Sequence, residues 1–313
     1  MSALLFPGQG SQVVGMGSEI YRNFDLVKKI FKLADEKLNY KISRLILEGP
    51  ENELQLTKNT QPAILTVSYS IYKVLKEEFG FDFSQIKYFA GHSLGEYSAL
   101  VCSESLNFND ALYLLHERGK AMQEAVAANK GSMIAVLGMK TNEINDLLNL
   151  IDKKYGVCEI ANDNAEGQII LSGDKSSVEQ FQKTLKEKKI KSIPLKVSAP
   201  FHCSLMKPAS KKMEDKINNI EFNAPLFKII YNVTATTESS SENVKKLLIE
   251  QIYSTVRWRE SIIKMSTLGV KNFIEIGPGR VLTGMTKRTI KGANCFSINS
   301  IADIKSITNE LKK

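Results

Sequence analysis

Residues 86–101 constrain this chain more than any other stretch. An apolar run over 86–90 reads as the end of a buried strand, and Tyr97-Ser98-Ala99-Leu100-Val101 reads as the first turns of a helix. Between them, Gly91-His92-Ser93-Leu94-Gly95 matches G-x-S-x-G. A strand that turns sharply into a helix holds its central residue in a strained backbone conformation, and small flanking residues let the chain pass. The Ser93 hydroxyl is then pushed out at a helix N-terminus, where free N–H groups and the helix dipole favour developing negative charge. Ser93 is a candidate nucleophile. The plainer alternative is a serine in an ordinary Gly-flanked turn.

At 313 residues, 43% hydrophobic and 24% charged, the chain can build a substantial core in one large domain or two modest ones. No run reaches the length of a membrane span, so no membrane association is expected. Leu4-Leu5-Phe6 follows Met1 almost at once, so no signal peptide is expected. Cys102, Cys158, Cys203 and Cys295 are scattered, as suits free thiols in a reducing compartment, and a cytoplasmic location is expected. The formal charge is +8, much of it in Lys-rich stretches such as 186–191 that read as solvated faces. No basic-aromatic interleaving points to nucleic acid, whereas an anionic substrate or acidic partner protein would suit the charge. His92, His116 and His202 are the three histidines, and none has metal-ligand spacing.

Helical spacing runs over 20–38, over 60–79 with Pro62 in the first turn, and over 110–127. Leu4-Leu5-Phe6 enters the Gly-rich turn Pro7-Gly8-Gln9-Gly10, which can aim backbone N–H groups at an oxyanion or be a plain turn. From about residue 129 the pattern changes to strand, helix, strand, strand, helix, strand, the order of a ferredoxin-like unit. Its strands are expected over 132–139, 157–161, 168–172 and 192–198, with Asn162 and Asn164 in a turn-rich hairpin loop. Later strands are expected over 228–233, 272–276 and 294–298. The fold class expected is α/β: a mostly parallel sheet with helices on both faces, a hydrolase-like core formed by 1–128 and 199–313, with a ferredoxin-like α+β subdomain inserted over 129–198. Sites in such sheets lie at the carboxyl ends of strands, where Gly8, Ser93 and Gly277 fall.

A serine nucleophile needs a base titrating near neutrality. His92 is adjacent in the backbone, so its side chain points elsewhere, and His116 lies among apolar residues of a helix. By elimination His202, on an irregular Pro-flanked segment at the junction of the subdomains, is the candidate base. Arg118, mid-helix in Glu117-Arg118-Gly119, reads as a surface residue on pattern alone.

Phe6-Pro7-Gly8-Gln9-Gly10-Ser11-Gln12, Gly91-His92-Ser93-Leu94-Gly95-Glu96, Glu117-Arg118-Gly119, Phe201-His202, Gln251 and Glu275-Ile276-Gly277-Pro278-Gly279 occur in an order that resembles the malonyl-CoA:acyl carrier protein transacylases of type II fatty acid synthesis, over essentially the whole chain. The resemblance implies ping-pong transfer of a malonyl group from malonyl-CoA, through a malonyl ester on Ser93, to the phosphopantetheine thiol of acyl carrier protein. It implies His202 as general base, Gln9 and Leu94 as backbone donors of the oxyanion hole, and the Gln251 carbonyl as the group that orients His202. It places Arg118 in the cleft, against the surface reading, as partner of the malonyl carboxylate. Phe201 and Leu94 resemble the malonyl-selective members, and Asn162 and Asn164 would lie along the pantetheine arm. No cofactor is implied beyond the substrate malonyl-CoA, the carrier partner is acidic, and a monomer is expected.

A serine hydrolase or thioesterase would use the same Ser-His pair but would want an Asp or Glu as orienter, for which Asp163 and Asp174 are available. A non-catalytic carrier-binding module is disfavoured by the presence of Ser93, His202 and Arg118 together.

Overall fold

A computed structural model describes residues 1–127, 129–197 and 199–310. Residues 128 and 198, where the expected domain boundaries and the end of the expected strand 192–198 fall, lie outside the described residues, as do 311–313. The strands are β1 (Ser2–Phe6), β2 (Ile86–Gly91), β3 (Gly131–Leu137), β4 (Cys158–Ala165), β5 (Gln168–Asp174), β6 (Ser192–Pro194), β7 (Lys228–Ile230), β8 (Asn272–Ile276) and β9 (Asn294–Ile298). They form two sheets. One has the order β7-β2-β1-β8-β9 and every pairing is parallel. The other has the order β4-β5-β3-β6 and every pairing is antiparallel, the arrangement expected of a ferredoxin-like unit.

Parallel strands need crossovers, and these lay helices on both faces of the large sheet. The period of two is visible in β1: Leu4 and Phe6 join the main apolar cluster, while Ala3 and Leu5 join a second cluster around Trp258, Ile262 and Phe273 on the opposite face. Each fully buried Leu, Ile or Phe among them contributes about 1.5–3 kcal/mol through the hydrophobic effect. The small sheet alternates too. Ile134 and Val136 of β3 and Ile169 and Leu171 of β5 pack on the helices Thr141–Leu148 and Lys175–Glu187. Met133 and Ile170, on the other face, join the main cluster and line the cleft between the sheets.

Several expected elements change their limits. The helix expected over 20–38 is two, Ser18–Asn23 and Asp25–Leu38, because Phe24 adopts an extended conformation with φ −127° and ψ 119°. The helix expected over 60–79 is Thr57–Lys73, with a π-helical turn over Val74–Glu78, so Pro62 lies beyond the first turn. Having no N–H, Pro62 leaves the Lys58 carbonyl without its helical donor. His116 Nδ1 lies 3.1 Å from that oxygen, which gives this histidine a structural partner. Strand β4 runs on through residues 162–165, so Asn162 and Asn164 are strand residues and the hairpin turn reduces to Glu166 and Gly167. The helices Trp258–Thr267, Val281–Thr289 and Ile301–Glu310 have no counterpart in the sequence reading.

Candidate active site

The turns after β1, β2, β7 and β8 meet at the carboxyl edge of the parallel sheet. The turn after β2 is tight enough to require both glycines of G-x-S-x-G. A Cβ on Gly91 would lie 1.9 Å from Gly95, and one on Gly95 would lie 2.2 Å from the Phe6 carbonyl. Ser93 between them has φ +52°, a left-handed conformation costly for a side-chain-bearing residue. The helix Gly95–Cys102 starts two residues later, so the hydroxyl stands at a helix N-terminus. Ser93 is no ordinary turn serine.

His202 Nε2 lies 2.8 Å from Ser93 Oγ. On its other side, His202 Nδ1 lies 2.8 Å from the Gln251 carbonyl oxygen, which is an acceptor only, so Nδ1 carries the proton and Nε2 is free to take one. His202 is itself at φ +55° and 5% exposed. Burial, with the Arg118 charge beside it, pushes its pKa down to about 3, against the Gln251 carbonyl, which favours the charged ring. The ring is therefore neutral, the form a base needs.

The carboxylates available for a hydrolase-type triad are engaged elsewhere. Asp163 is paired with Arg259 at 2.7 Å, and Asp174 accepts the Val157 N–H at 2.7 Å. The position beside His202 Nδ1 that such a carboxylate would fill is taken by the Gln251 backbone.

Arg118 is 1% exposed, which overturns the surface reading. Gly119 explains how its helix can come close enough: a Cβ there would lie 2.5 Å from the Thr57 carbonyl. The guanidinium donates from Nη1 to Gln61 Oε1 at 2.8 Å, and from Nη2 to Gln251 Oε1 at 2.8 Å and Ser93 Oγ at 3.1 Å. Its Nε has no partner, and none of the ion pairs among the described residues includes it. A buried cation with spare donors 3.1 Å from the Ser93 hydroxyl has the chemistry to hold an anionic group.

Ser93, His202, Arg118 and Gln61 line a cavity of about 160 Å³. Gln9, Leu94, Phe201, Asn162 and Asn164 are on its wall. Gln9 and Leu94 lie three residues beyond the ends of β1 and β2 respectively, and neither backbone N–H has an acceptor among the described hydrogen bonds. The Ser93 N–H, by contrast, is taken by Asn232 Oδ1 at 2.8 Å. Asn164 Oδ1 lies 2.8 Å from His92 Nε2, so His92 turns away from Ser93 into the β4 side of the cleft. The helix Val281–Thr289 contributes Val281, Leu282 and Met285 to the wall, and its N-terminus is fixed by Glu275, whose carboxylate accepts the N–H groups of Leu282 and Thr283.

The acyl transferase domain family matches residues 3–309. A protein of Bacillus subtilis (strain 168) named malonyl CoA-acyl carrier protein transacylase is 42% identical over 313 residues, covering 99% of this chain and 97% of that protein. This chain belongs to that family. The protein of the same name from Escherichia coli (strain K12) is 39% identical over 298 residues, 95% of each chain. Among solved structures, the acyl-carrier-protein-S-malonyltransferase of Bartonella henselae superposes with a TM-score of 0.96 at 38% identity, over 100% of this chain and 99% of that one. A malonyl-transacylase in complex with its type II PKS acyl-carrier protein gives 0.95 at 38% identity, over 99% of both chains.

As a member of this family the chain is an acyltransferase, and its α/β fold with an antiparallel subdomain is that of the malonyltransferases. Among the described residues no helix is long and apolar enough to cross a membrane. The sequence reading missed Gln61 and Asn232, which bond Arg118 and Ser93, and Glu96, which accepts from Asn232 and Gln251. Each is a polar residue buried by tertiary contact, and no periodicity marks such a position.

Proposed function

We propose that the protein moves a malonyl group from malonyl-CoA to the phosphopantetheine thiol of acyl carrier protein by a ping-pong mechanism. Ser93 Oγ attacks the thioester carbonyl while His202 Nε2 takes its proton. The tetrahedral oxyanion faces the Gln9 and Leu94 N–H groups. Its collapse expels CoA as a thiolate, which takes the proton back from His202. The carrier thiol then gives its proton to His202 and attacks the ester, and Ser93 leaves with that proton. The Gln251 carbonyl keeps His202 in the required tautomer throughout, the task an Asp performs in a Ser-His-Asp triad. Proton transfer and acyl transfer between these groups need no further cofactor.

The observation that carries this reading is the position of Arg118. Its guanidinium is buried, has an N–H without an acceptor, and lies 3.1 Å from the Ser93 hydroxyl. A carboxylate entering a dry cleft loses its water, and two-point hydrogen bonds from a guanidinium offset that loss. Phe201 and Leu94 narrow the same space toward malonyl rather than a branched homologue, and Asn162 and Asn164 lie along the path of the pantetheine arm. The charge of +8 suits an acidic carrier partner, and the four free cysteines suit a cytoplasmic enzyme.

The test is a transfer assay with labelled malonyl-CoA and carrier protein bearing its phosphopantetheine. Label should reach the carrier much faster than it appears as free malonate. Release of malonate at a rate equal to transfer would instead indicate a hydrolase.

A further inference from the structure

Beneath Ser93 lies a buried carboxylate that the proposed reaction does not use. Glu96 is 1% exposed, on the first turn of the helix Gly95–Cys102. Its Oε1 accepts the backbone N–H of Asn232, and its Oε2 accepts from Gln251 Nε2. The other end of the same Gln251 amide, Oε1, accepts from Arg118 Nη2 at 2.8 Å. Asn232 and Gln251 are both fully buried. A carboxylate, an amide and a guanidinium thus form a line that ends at the cavity.

The chemistry of the two ends decides how the middle must stand. A guanidinium can only donate, and an ionised carboxylate can only accept. An amide between them has one orientation that satisfies both, with nitrogen toward Glu96 and oxygen toward Arg118. The reverse orientation sets donor against donor at Arg118 and acceptor against acceptor at Glu96, with no water to relieve either. The same nitrogen also donates to the Ser93 carbonyl at 3.0 Å, so the amide is tied to the nucleophile as well. Burial favours the neutral carboxyl and pushes Glu96 up to about 8, against the hydrogen bonds from Asn232 and Gln251 and the Arg118 charge. The amide orientation does not depend on that charge, because Arg118 can donate only to the Gln251 oxygen and both Glu96 oxygens receive N–H donors.

We infer that Glu96 is a positioning residue for acyl selection: through the Gln251 amide it aims the Arg118 guanidinium at the group carried on Ser93. This rests on the reading of Arg118 as the partner of the malonyl carboxylate and adds what holds Arg118 there. Glu96→Gln keeps the shape but offers a donor where two N–H groups need acceptors. The Gln251 amide then loses its single orientation, and Arg118 loses one of its three acceptors.

The experiment measures kcat and KM for malonyl-CoA and acetyl-CoA in the full-length wild type, Glu96→Gln, Arg118→Ala and the double variant. The rate of Ser93 sulfonylation by a small uncharged sulfonyl fluoride is measured alongside. Glu96→Gln should lower the malonyl-to-acetyl ratio of kcat/KM about tenfold, the scale of one hydrogen bond to a charged group, mainly through the malonyl KM. Sulfonylation should hold near the wild-type rate, and Glu96→Gln should change the ratio no further in the Arg118→Ala background.

An equal fall in malonyl transfer, acetyl transfer and sulfonylation would overturn the inference, because Glu96 would then support only the Ser93 turn. An unchanged ratio in Glu96→Gln, with a lowered ratio in Arg118→Ala, would overturn the inference alone. An unchanged ratio in Arg118→Ala would overturn the underlying reading and the inference with it. If Glu96→Gln does not fold, Gln251→Leu carries the test: the carbonyl that faces His202 remains while the amide is removed. Its malonyl-to-acetyl ratio should also fall, and an unchanged ratio would overturn the inference.

Discussion

The two halves of the cavity are built from different material. On one side, backbone atoms do most of the holding: the Gln251 carbonyl accepts from His202, and Gln9 and Leu94, whose N–H groups have no acceptor among the described hydrogen bonds, line the cavity. On the other, side chains hold side chains: Gln61, Gln251 and, behind it, Glu96 fix Arg118. A backbone atom survives a change of residue, whereas a side-chain partner does not. The backbone groups proposed to serve the chemistry, the N–H groups of Gln9 and Leu94 and the Gln251 carbonyl, should therefore survive side-chain substitution, whereas Ser93 and His202 should not tolerate it. The half proposed to choose the acyl group should be sensitive at every member.

Substitutions can break this contrast in order of expected effect. Ser93→Ala removes the only proposed attachment point, so acyl transfer should fall to background with the fold intact, as judged by its melting temperature. Transfer that survives would place the nucleophile elsewhere. His202→Ala should slow acylation by on the order of 10²–10⁴, the range for a positioned general base, when read by stopped-flow release of CoA. A smaller loss would mean that His202 only packs against Ser93.

Arg118→Ala should depress malonyl transfer by on the order of 10²-fold and raise acetyl transfer relative to it, since acetyl no longer strands a buried cation. Arg118→Lys should recover only part, because an ammonium cannot make the two-point contact. Matched assays with both thioesters decide the matter, and an unchanged ratio would remove Arg118 from acyl selection. Gln9→Ala should have the smallest effect, less than about threefold in kcat, because its N–H remains and a backbone donor is the group proposed to act. A large loss would show that the Gln9 side chain is required.

The pH profile sharpens the same contrast. His202 must be neutral to act, and its pKa is pushed down to about 3 by burial and by Arg118. Acylation kcat/KM should stay level as pH falls through the ordinary histidine value of about 6.5, declining only well below it. In Arg118→Ala the neighbouring charge is gone, so the acid limb should move to higher pH. A wild-type limb near 6.5 would contradict the buried, cation-flanked environment of His202.

The site was legible in the sequence where sterics write it. Gly91 and Gly95 are demanded by contacts closer than a Cβ allows, so the turn that carries Ser93 can be read from its letters. The strands 272–276 and 294–298 and the order of the inserted unit follow from apolar patterning. Arg118 was not legible from pattern, because a charge mid-helix is usually solvated. The glycine after it, which lets the helix approach Thr57, is the local signal of its burial. Asn162 and Asn164 read as loop because polar residues in a row suggest a turn. Here they are strand residues, buried against the cleft, with Asn164 bonded to His92. Glu96 lay inside the quoted motif, yet its partners Asn232 and Gln251 are more than 130 positions away, beyond the reach of any local pattern.

The most direct measurement is to mix the protein with malonyl-CoA, quench in acid within the first turnover, and locate the acyl group by peptide mass spectrometry. The malonyl mass increment should fall on Ser93 alone and should disappear when carrier protein bearing a free pantetheine thiol is added before the quench. A malonyl group on any other residue, or none at all while transfer proceeds, would contradict the malonyl-serine intermediate.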